Sequence, residues 1–127
     1  MARTRAASMG VIAIRVLAAG ALSGVETRHP HGSPSVEPIG SGSAYRIDVE
    51  RARRLEPVVR EGFAEGLIEL AVRFVISNEA VSTALVGYST LEHLERAITV
   101  VERGPLPAPA LDLLGGLWAG LGHPAPR

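Results

Sequence analysis

The sequence predicts an α/β fold in which helices pack on a parallel sheet. Three observations point there. Residues 65–101 read as helix, turn, short apolar run, glycine and helix. The apolar run at 81–86, VSTALV, is short and β-branched and sits between turn signals, as a buried parallel strand does. A second run of the same character, VIAIRV, lies far upstream at 11–16.

Taken in order, residues 1–8 are small and basic, and 9–21 are apolar apart from Arg15. A basic start before an apolar run is also the layout of a secretory signal peptide, with cleavage near Gly24. Arg15 interrupts that run near its middle, and the run is too short and broken to span a membrane. The alternative is a strand at 11–16. Residues 25–46 are rich in Pro, Gly, Ser and His and read as one long loop, of a length that suits a lid or a linker. His29 and His31 flank Pro30 with no third ligand nearby in sequence, so solvated loop histidines are expected and no metal site is assigned. Gly40-Ser41-Gly42-Ser43 lacks GxGxxG spacing and a following lysine, and reads as flexible linker.

Residues 47–77 are expected to be helical. Val49, Ala52 and Leu55 make a narrow apolar stripe, and Pro57 should kink or end that first helix. Arg51, Arg53 and Arg54 are interleaved with acids and read as a solvated face, not a nucleic-acid surface. Beyond Gly62, Leu67, Leu70, Ala71, Phe74 and Val75 recur at the spacing of one helix face. Ile68, Val72 and Ile76 widen it, as for a helix laid on a sheet. Glu65, Glu69 and Arg73 stand at four-residue steps and read as a solvated ladder.

The strand at 81–86 is expected to be fully buried, and Gly87 ends it. Ser89-Thr90-Leu91-Glu92 fits a capping box, with Ser89 as N-cap and Glu92 reaching back. A helix over 90–102 then repeats Leu91, Leu94, Ile98 and Val101 at helical spacing. Free N–H groups at such a helix start attract anions. Gly104-Pro105-Leu106-Pro107 stops the helix, and a last one over 109–121 is weakened by Gly115 and Gly116. Trp118 is expected to pack on the flank. An ordinary helix–strand–helix packing unit would show the same pattern.

Composition sets bounds. The chain has 127 residues, whereas a complete (β/α)8 barrel takes roughly 200 or more, so only part of one is possible here. Net charge is zero, which gives no electrostatic case for nucleic acid. Without cysteine there is no disulfide and no thiol chemistry. All 13 basic residues are arginine, so no lysine-dependent chemistry can occur within this chain.

AVRFVISNEAVSTALVGYSTLEHLERAI, at 71–98, closely resembles the last repeat of the aldo/keto reductases, where a helix reading ALRFVLSHPAVSTVLVG leads into the eighth barrel strand. Residues 17–24 are similar to the family segment YSPLAGGLLTGK that follows the seventh strand, with Leu17, Gly20, Leu22 and Gly24 in place. The resemblance covers most of the chain between Gly10 and Leu114. It implies a partial (β/α)8 TIM barrel: the C-terminal repeats, with strand seven at 11–16, strand eight at 81–86 and their helices. It also makes the 25–46 loop the insertion that covers bound cofactor in many members.

The resemblance further implies a nicotinamide dinucleotide, NADP or NAD, as cofactor and a sugar or small aldehyde or ketone as substrate. It places cofactor contacts at Leu17, Gly87, Ser89, His93 and Arg96. Several family residues are replaced. Ile14 stands for an aromatic, Arg15 and Val16 for Ser and Pro, and Val25 for a lysine that meets the pyrophosphate. His93 replaces Gln, Arg96 replaces Glu, and Ala97 replaces an Asn that meets adenine. The family's catalytic tyrosine, lysine, aspartate and histidine belong to early strands, so no catalytic residue is assigned, and Tyr45 and Tyr88 are outside the acid motif. The expectation is a cytoplasmic, cofactor-binding part of an NAD(P)-dependent oxidoreductase that is inactive alone. Two alternatives stand: a non-enzymatic half-barrel that pairs with another chain or self-associates through strand edges, and a small exported helical protein.

Overall fold

The two β-branched runs lie side by side and point the same way. The computed structural model describes residues 2–27, 29–32 and 44–120. Among these, β1 (Ile12–Ala13) pairs in parallel with β2 (Thr83–Ala84), with Ile12 opposite Thr83 and Ala13 opposite Ala84. Hydrogen bonds carry the pairing a little further. The Val11 carbonyl accepts the Ser82 N–H at 2.8 Å, and the Ala13 carbonyl accepts the Leu85 N–H at 2.8 Å. The Val11 N–H donates to Ser82 Oγ at 3.1 Å. The strands are therefore shorter than the runs at 11–16 and 81–86. Arg15 takes a φ of 57°, a left-handed backbone that L-residues adopt at a cost, and this turns the chain out of β1. Without a partner beyond Arg15, β2 stops as well.

Parallel neighbours need a long crossover. After α1 (Ala2–Ala6), β1 and a 3-10 segment at Ala18–Ser23, that crossover contains α2 (Tyr45–Arg53), α3 (Glu56–Arg60) and α4 (Leu67–Ile76). The charged stretch at 47–60 is thus divided in two near Pro57, as expected of that residue. The break falls just before Pro57, which sits in the first turn of α3, where its missing N–H leaves no helical bond unmade. α2 begins at Tyr45, so the long loop is two residues shorter than expected. The Gly40–Ser43 linker and the rest of 33–43 lie outside the described residues. After β2 come α5 (Leu91–Glu102) and α6 (Ala108–Gly120). Gly115 and Gly116 do not interrupt α6.

α4 is apolar on two sides because it separates two cores. One side joins Leu70 to Val58, Ala64, Leu106, Ala110 and Leu114, with Phe74 edge-to-face on Trp118 at 4.9 Å. The other side places Val72 and Val75 with Val16, Val100 and the inward sheet residues Ala13, Ala84 and Val86. Helices cover only this one face of the strand pair. The other face leaves Ile12, Ile14 and Leu85 at 61%, 65% and 56% exposure. The expectation of a fully buried strand is corrected here, because among the described residues nothing packs on that face. α5 is turned in the same unexpected sense. Val100 is buried, while Leu91, Ile98 and Val101 of the apolar repeat are exposed.

Of the Glu65–Glu69–Arg73 ladder, Glu65 is exposed as expected, but Glu69 and Arg73 are not solvated. The Glu69 side chain is 3% exposed and that of Arg73 12%. Glu69 Oε1 accepts from Arg73 at 2.9 Å, and Glu69 Oε2 accepts from Arg103 at 2.7 Å and from the Glu65 N–H at 3.1 Å. Arg73 also donates to the carbonyls of Phe63, Gly104 and Pro105 at 2.9, 2.9 and 3.0 Å. Ser77 Oγ donates to the Arg73 carbonyl at 2.7 Å and accepts the Leu106 N–H at 2.8 Å. The 103–106 connection lies across α4 and covers its charged side, a long-range contact that four-residue spacing cannot reveal.

Leaving one member of a buried charge cluster alone costs about 3 to 5 kcal/mol. Glu69→Ala is therefore expected to lower the urea midpoint by an amount in that range. Arg73→Lys keeps the charge but loses the planar fork, and should cost about 2 kcal/mol. An unchanged midpoint in both variants would contradict the cluster. At the exposed end, Glu65 is held below its ordinary value of 4.5, first by the hydrogen bond from Arg103 and then by its charge. A depressed carboxylate stabilises fully above its unfolded value and loses that contribution as pH falls through the folded one. The stability gap between wild type and Glu65→Gln should therefore close on acidification below about pH 4.5.

Candidate binding cleft

The carboxyl ends of β1 and β2 open into one cleft of about 430 Å³. Open α/β sheets and barrels bind ligands at this end of their strands. Leu17, Ala19, Gly20 and Ser23 line it from the segment after β1, and Val86, Gly87, Tyr88 and Ser89 from the segment after β2. α5 contributes His93, Arg96, Ala97 and Val100; α4 contributes Ile68 and Val72; α2 contributes Tyr45. Thr27, His29 and Gly32 complete the rim.

The wall after β1 is tightly wound. Arg15, Ala18 and Ala19 all have φ near +50°, and Gly20 and Gly24 have φ of 102° and 75°. Non-glycine residues in this region cost of order 1–3 kcal/mol each and persist only where surroundings impose them. Here the Leu17 carbonyl accepts the N–H groups of Gly20 and Leu22 at 2.8 and 3.2 Å. Arg53 Nε of α2 donates to the Gly24 carbonyl at 2.8 Å, and the Tyr45 hydroxyl to the Val25 carbonyl at 3.4 Å. Gly24 takes a left-handed φ that favours glycine, and a Cβ there would stand 2.8 Å from Leu67 Cδ1, so that the Leu67 side chain would have to shift. Arg15 is exposed and is not among the cleft residues.

The wall after β2 leads into the start of α5. Its N-cap is Thr90, not Ser89: Thr90 Oγ1 accepts the His93 N–H at 3.3 Å. This moves the capping frame one residue along and puts His93, not Glu92, at the third helical position. Glu92 instead turns back on its own N–H and the Thr90 hydroxyl, which hold its carboxyl below the usual range. Ser89 is left to line the cleft.

Leu17, Gly87, Ser89, His93 and Arg96 come from two segments 70 residues apart in the chain and all line this one cleft. Among the described lining residues Arg96 is the sole arginine, and there is no carboxylate. Tyr45, Tyr88, His29 and Ile68 were not expected at the site. Tyr88 carried a signal, lying between two expected residues; Tyr45 and Ile68 did not. His29 also brings a contact absent from the sequence reading, its ring lying 5.7 Å from that of His93. Among the described residues no group of three His, Asp or Glu side chains is arranged to hold a metal ion.

Two adjacent parallel strands, each opening at its carboxyl end into a shared cleft, are what successive β/α units of a barrel present. The model of the aldo/keto reductase family matches residues 1–118. The chain belongs to that family, one of oxidoreductases on a (β/α)8 barrel. No curated protein and no solved structure matches the chain.

An N-cap substitution typically costs about 1 kcal/mol. Thr90→Ala is expected to lose about that much in thermal unfolding followed by circular dichroism, and Ser89→Ala only a few tenths. The reverse ranking would restore the Ser89 cap.

Proposed function

We propose that this chain forms strands seven and eight of an aldo/keto reductase barrel and holds part of its nicotinamide dinucleotide, NADP or NAD. The observation that supports this most directly is the convergence of Leu17, Gly87, Ser89, His93 and Arg96 on one cleft beside the start of α5. The residues suit the group. Arg96 brings positive charge for a phosphate to the wall beside the start of α5, where the His93 and Glu92 N–H groups are already taken by Thr90 Oγ1 and the Glu92 carboxylate. Gly87 has open space where a Cβ would be, so backbone and ligand can approach closely there. Leu17, Ile68 and Ala97 give apolar surface for the remainder.

Bound dinucleotide would supply or accept the hydride. The substrate in this reading is a sugar or a small aldehyde or ketone, and the compartment is the cytoplasm. No described helix is long and apolar enough to cross a membrane. Proton transfer to a carbonyl needs a tuned acid, and a tyrosine ordinarily titrates near 10, far from neutrality without a cationic partner such as lysine. The chain has no lysine, so alone it should show no turnover.

A second reading, pairing with another chain or copy, is favoured by the sheet face of Ile12, Ile14 and Leu85 and the outer edges of β1 and β2, which no other described residues cover or pair. The exported-protein reading is weakened, since cleavage near Gly24 would remove β1, the partner of β2.

Titration of NADP+ and then NAD+ by calorimetry tests the first reading. Binding of at least one is expected. Gly87→Leu should keep the wild-type melting temperature and weaken binding about tenfold or more, the equivalent of about 1.4 kcal/mol. No heat with either dinucleotide, or equal affinity in the variant, would contradict it, as would reduction of any aldehyde with NADPH by the chain alone. For the second reading, Ile14→Glu combined with Leu85→Glu is expected to shift gel filtration towards smaller species. An unchanged elution profile would count against it.

A further inference from the structure

The segment after β1 lines the cleft with Leu17, Ala19, Gly20 and Ser23, in a shape that its own residues do not favour. Arg15, Ala18 and Ala19 have φ of 57°, 47° and 55°, the left-handed region that L side chains rarely take. Hydrogen bonds inside the segment close its turns. The Arg15 carbonyl accepts the Ala18 N–H at 2.8 Å, and the Ala21 carbonyl accepts the Gly24 N–H at 3.1 Å. Such bonds tie the segment to nothing else.

An outside hold comes from α2. Arg53 Nε donates to the Gly24 carbonyl at 2.8 Å, from 29 residues further along the chain. Gly24 is the left-handed cap that ends the 3-10 segment, so the bond grips the point where the chain leaves the wall. The stem of Arg53 lies alongside, its Cγ 3.7 Å from where a Gly24 Cβ would stand. A hydrogen bond from an ionised donor is roughly twice as strong as a neutral one. Arg53 itself is exposed and is not among the residues lining the cleft. Its hydrogen bond reaches a ligand only through the segment that it holds.

We propose that Arg53 is a positioning residue for the cleft: its Nε–H fixes Gly24 and thereby keeps Leu17, Ala19, Gly20 and Ser23 in the wall that meets the ligand. This role rests on the dinucleotide reading for the identity of the ligand alone. The shape of the wall can be read with no ligand present.

The test compares Arg53→Met with Arg53→Gln in the full chain labelled with 15N and 13C. Both variants remove the charge. Methionine has no donor, whereas the glutamine amide nitrogen is as many bonds from Cα as arginine Nε and keeps an N–H. Backbone scalar couplings read the sign of φ at Ala18 and Ala19. Titration with NADP+, followed by amide shifts, reads affinity. In wild type and Arg53→Gln both alanines should keep positive φ, and NADP+ should bind with similar affinity. In Arg53→Met the positive φ should be lost and the affinity should fall about tenfold, as for the loss of one hydrogen bond. At saturation of that variant, Leu17 and Gly20 should no longer shift as in wild type, while Ser89 and His93 still do. A merely structural role would alter both walls together with the melting temperature. Equal behaviour of the two variants overturns the role of the Nε–H, as does positive φ retained in Arg53→Met. An Arg53 Nε–H that exchanges with water as fast as that of exposed Arg60 overturns it on wild-type data alone. If NADP+ shifts nothing in wild type, the dinucleotide reading fails, and the couplings by themselves decide the role of Arg53.

Discussion

Everything in this structure is referred to α4, and what fixes its neighbours to it is the charge cluster around Glu69. A carboxylate with 3% exposure is costly to bury, and it is tolerated because two guanidinium groups and a backbone N–H meet it. Arg73 then uses its remaining donors on the carbonyls of Phe63, Gly104 and Pro105. One side chain thereby ties down the entry to α4 and the exit from α5. The cluster fixes where the chain leaves α5. α5 holds His93, Arg96, Ala97 and Val100 towards the cleft and leaves Leu91, Ile98 and Val101 in solvent.

The cleft follows from this placement and from strain on the opposite wall. Three non-glycine residues in left-handed conformations would not stay so by local preference. They are held because α2 grips the segment through Arg53 and Tyr45, and α4 packs Leu67 against Gly24. The wall after β1 is held in part from outside it, at Gly24 and Val25. The wall after β2 is simpler: a turn and a capped helix start, with Thr90 satisfying one N–H and leaving Ser89 to face the cleft. An arginine, not a lysine, supplies the positive charge, in keeping with a chain that has no lysine at all.

Much of the architecture was legible in the residues because it rests on local patterns. The β-branching of 11–16 and 81–86, the broad apolar face of α4, and the break before Pro57 each have a short-range physical cause. The family resemblance supplied what local patterns could not, bringing Leu17 to the same cleft as Gly87, Ser89, His93 and Arg96. The errors share a different origin. Glu69 and Arg73 looked solvated because the segment that covers them is some thirty residues away in the chain. The Leu91–Val101 repeat looked like a core face because periodicity gives a stripe without saying what meets it. The shift from Ser89 to Thr90 is a one-residue choice between two good caps, decided by how the chain leaves β2. Tyr45 and His29 reach the cleft through the fold of a loop, which composition alone does not give.

The central claim is that one cleft, walled by the segments after β1 and β2, receives the dinucleotide. Mapping amide shifts of the 15N-labelled chain on addition of NADP+ tests it most directly. Leu17, Gly87, Ser89, His93 and Arg96 are expected to shift together, with Leu114 and Trp118 of α6 unmoved. Shifts confined to one wall, scattered over α6 or absent altogether would contradict it.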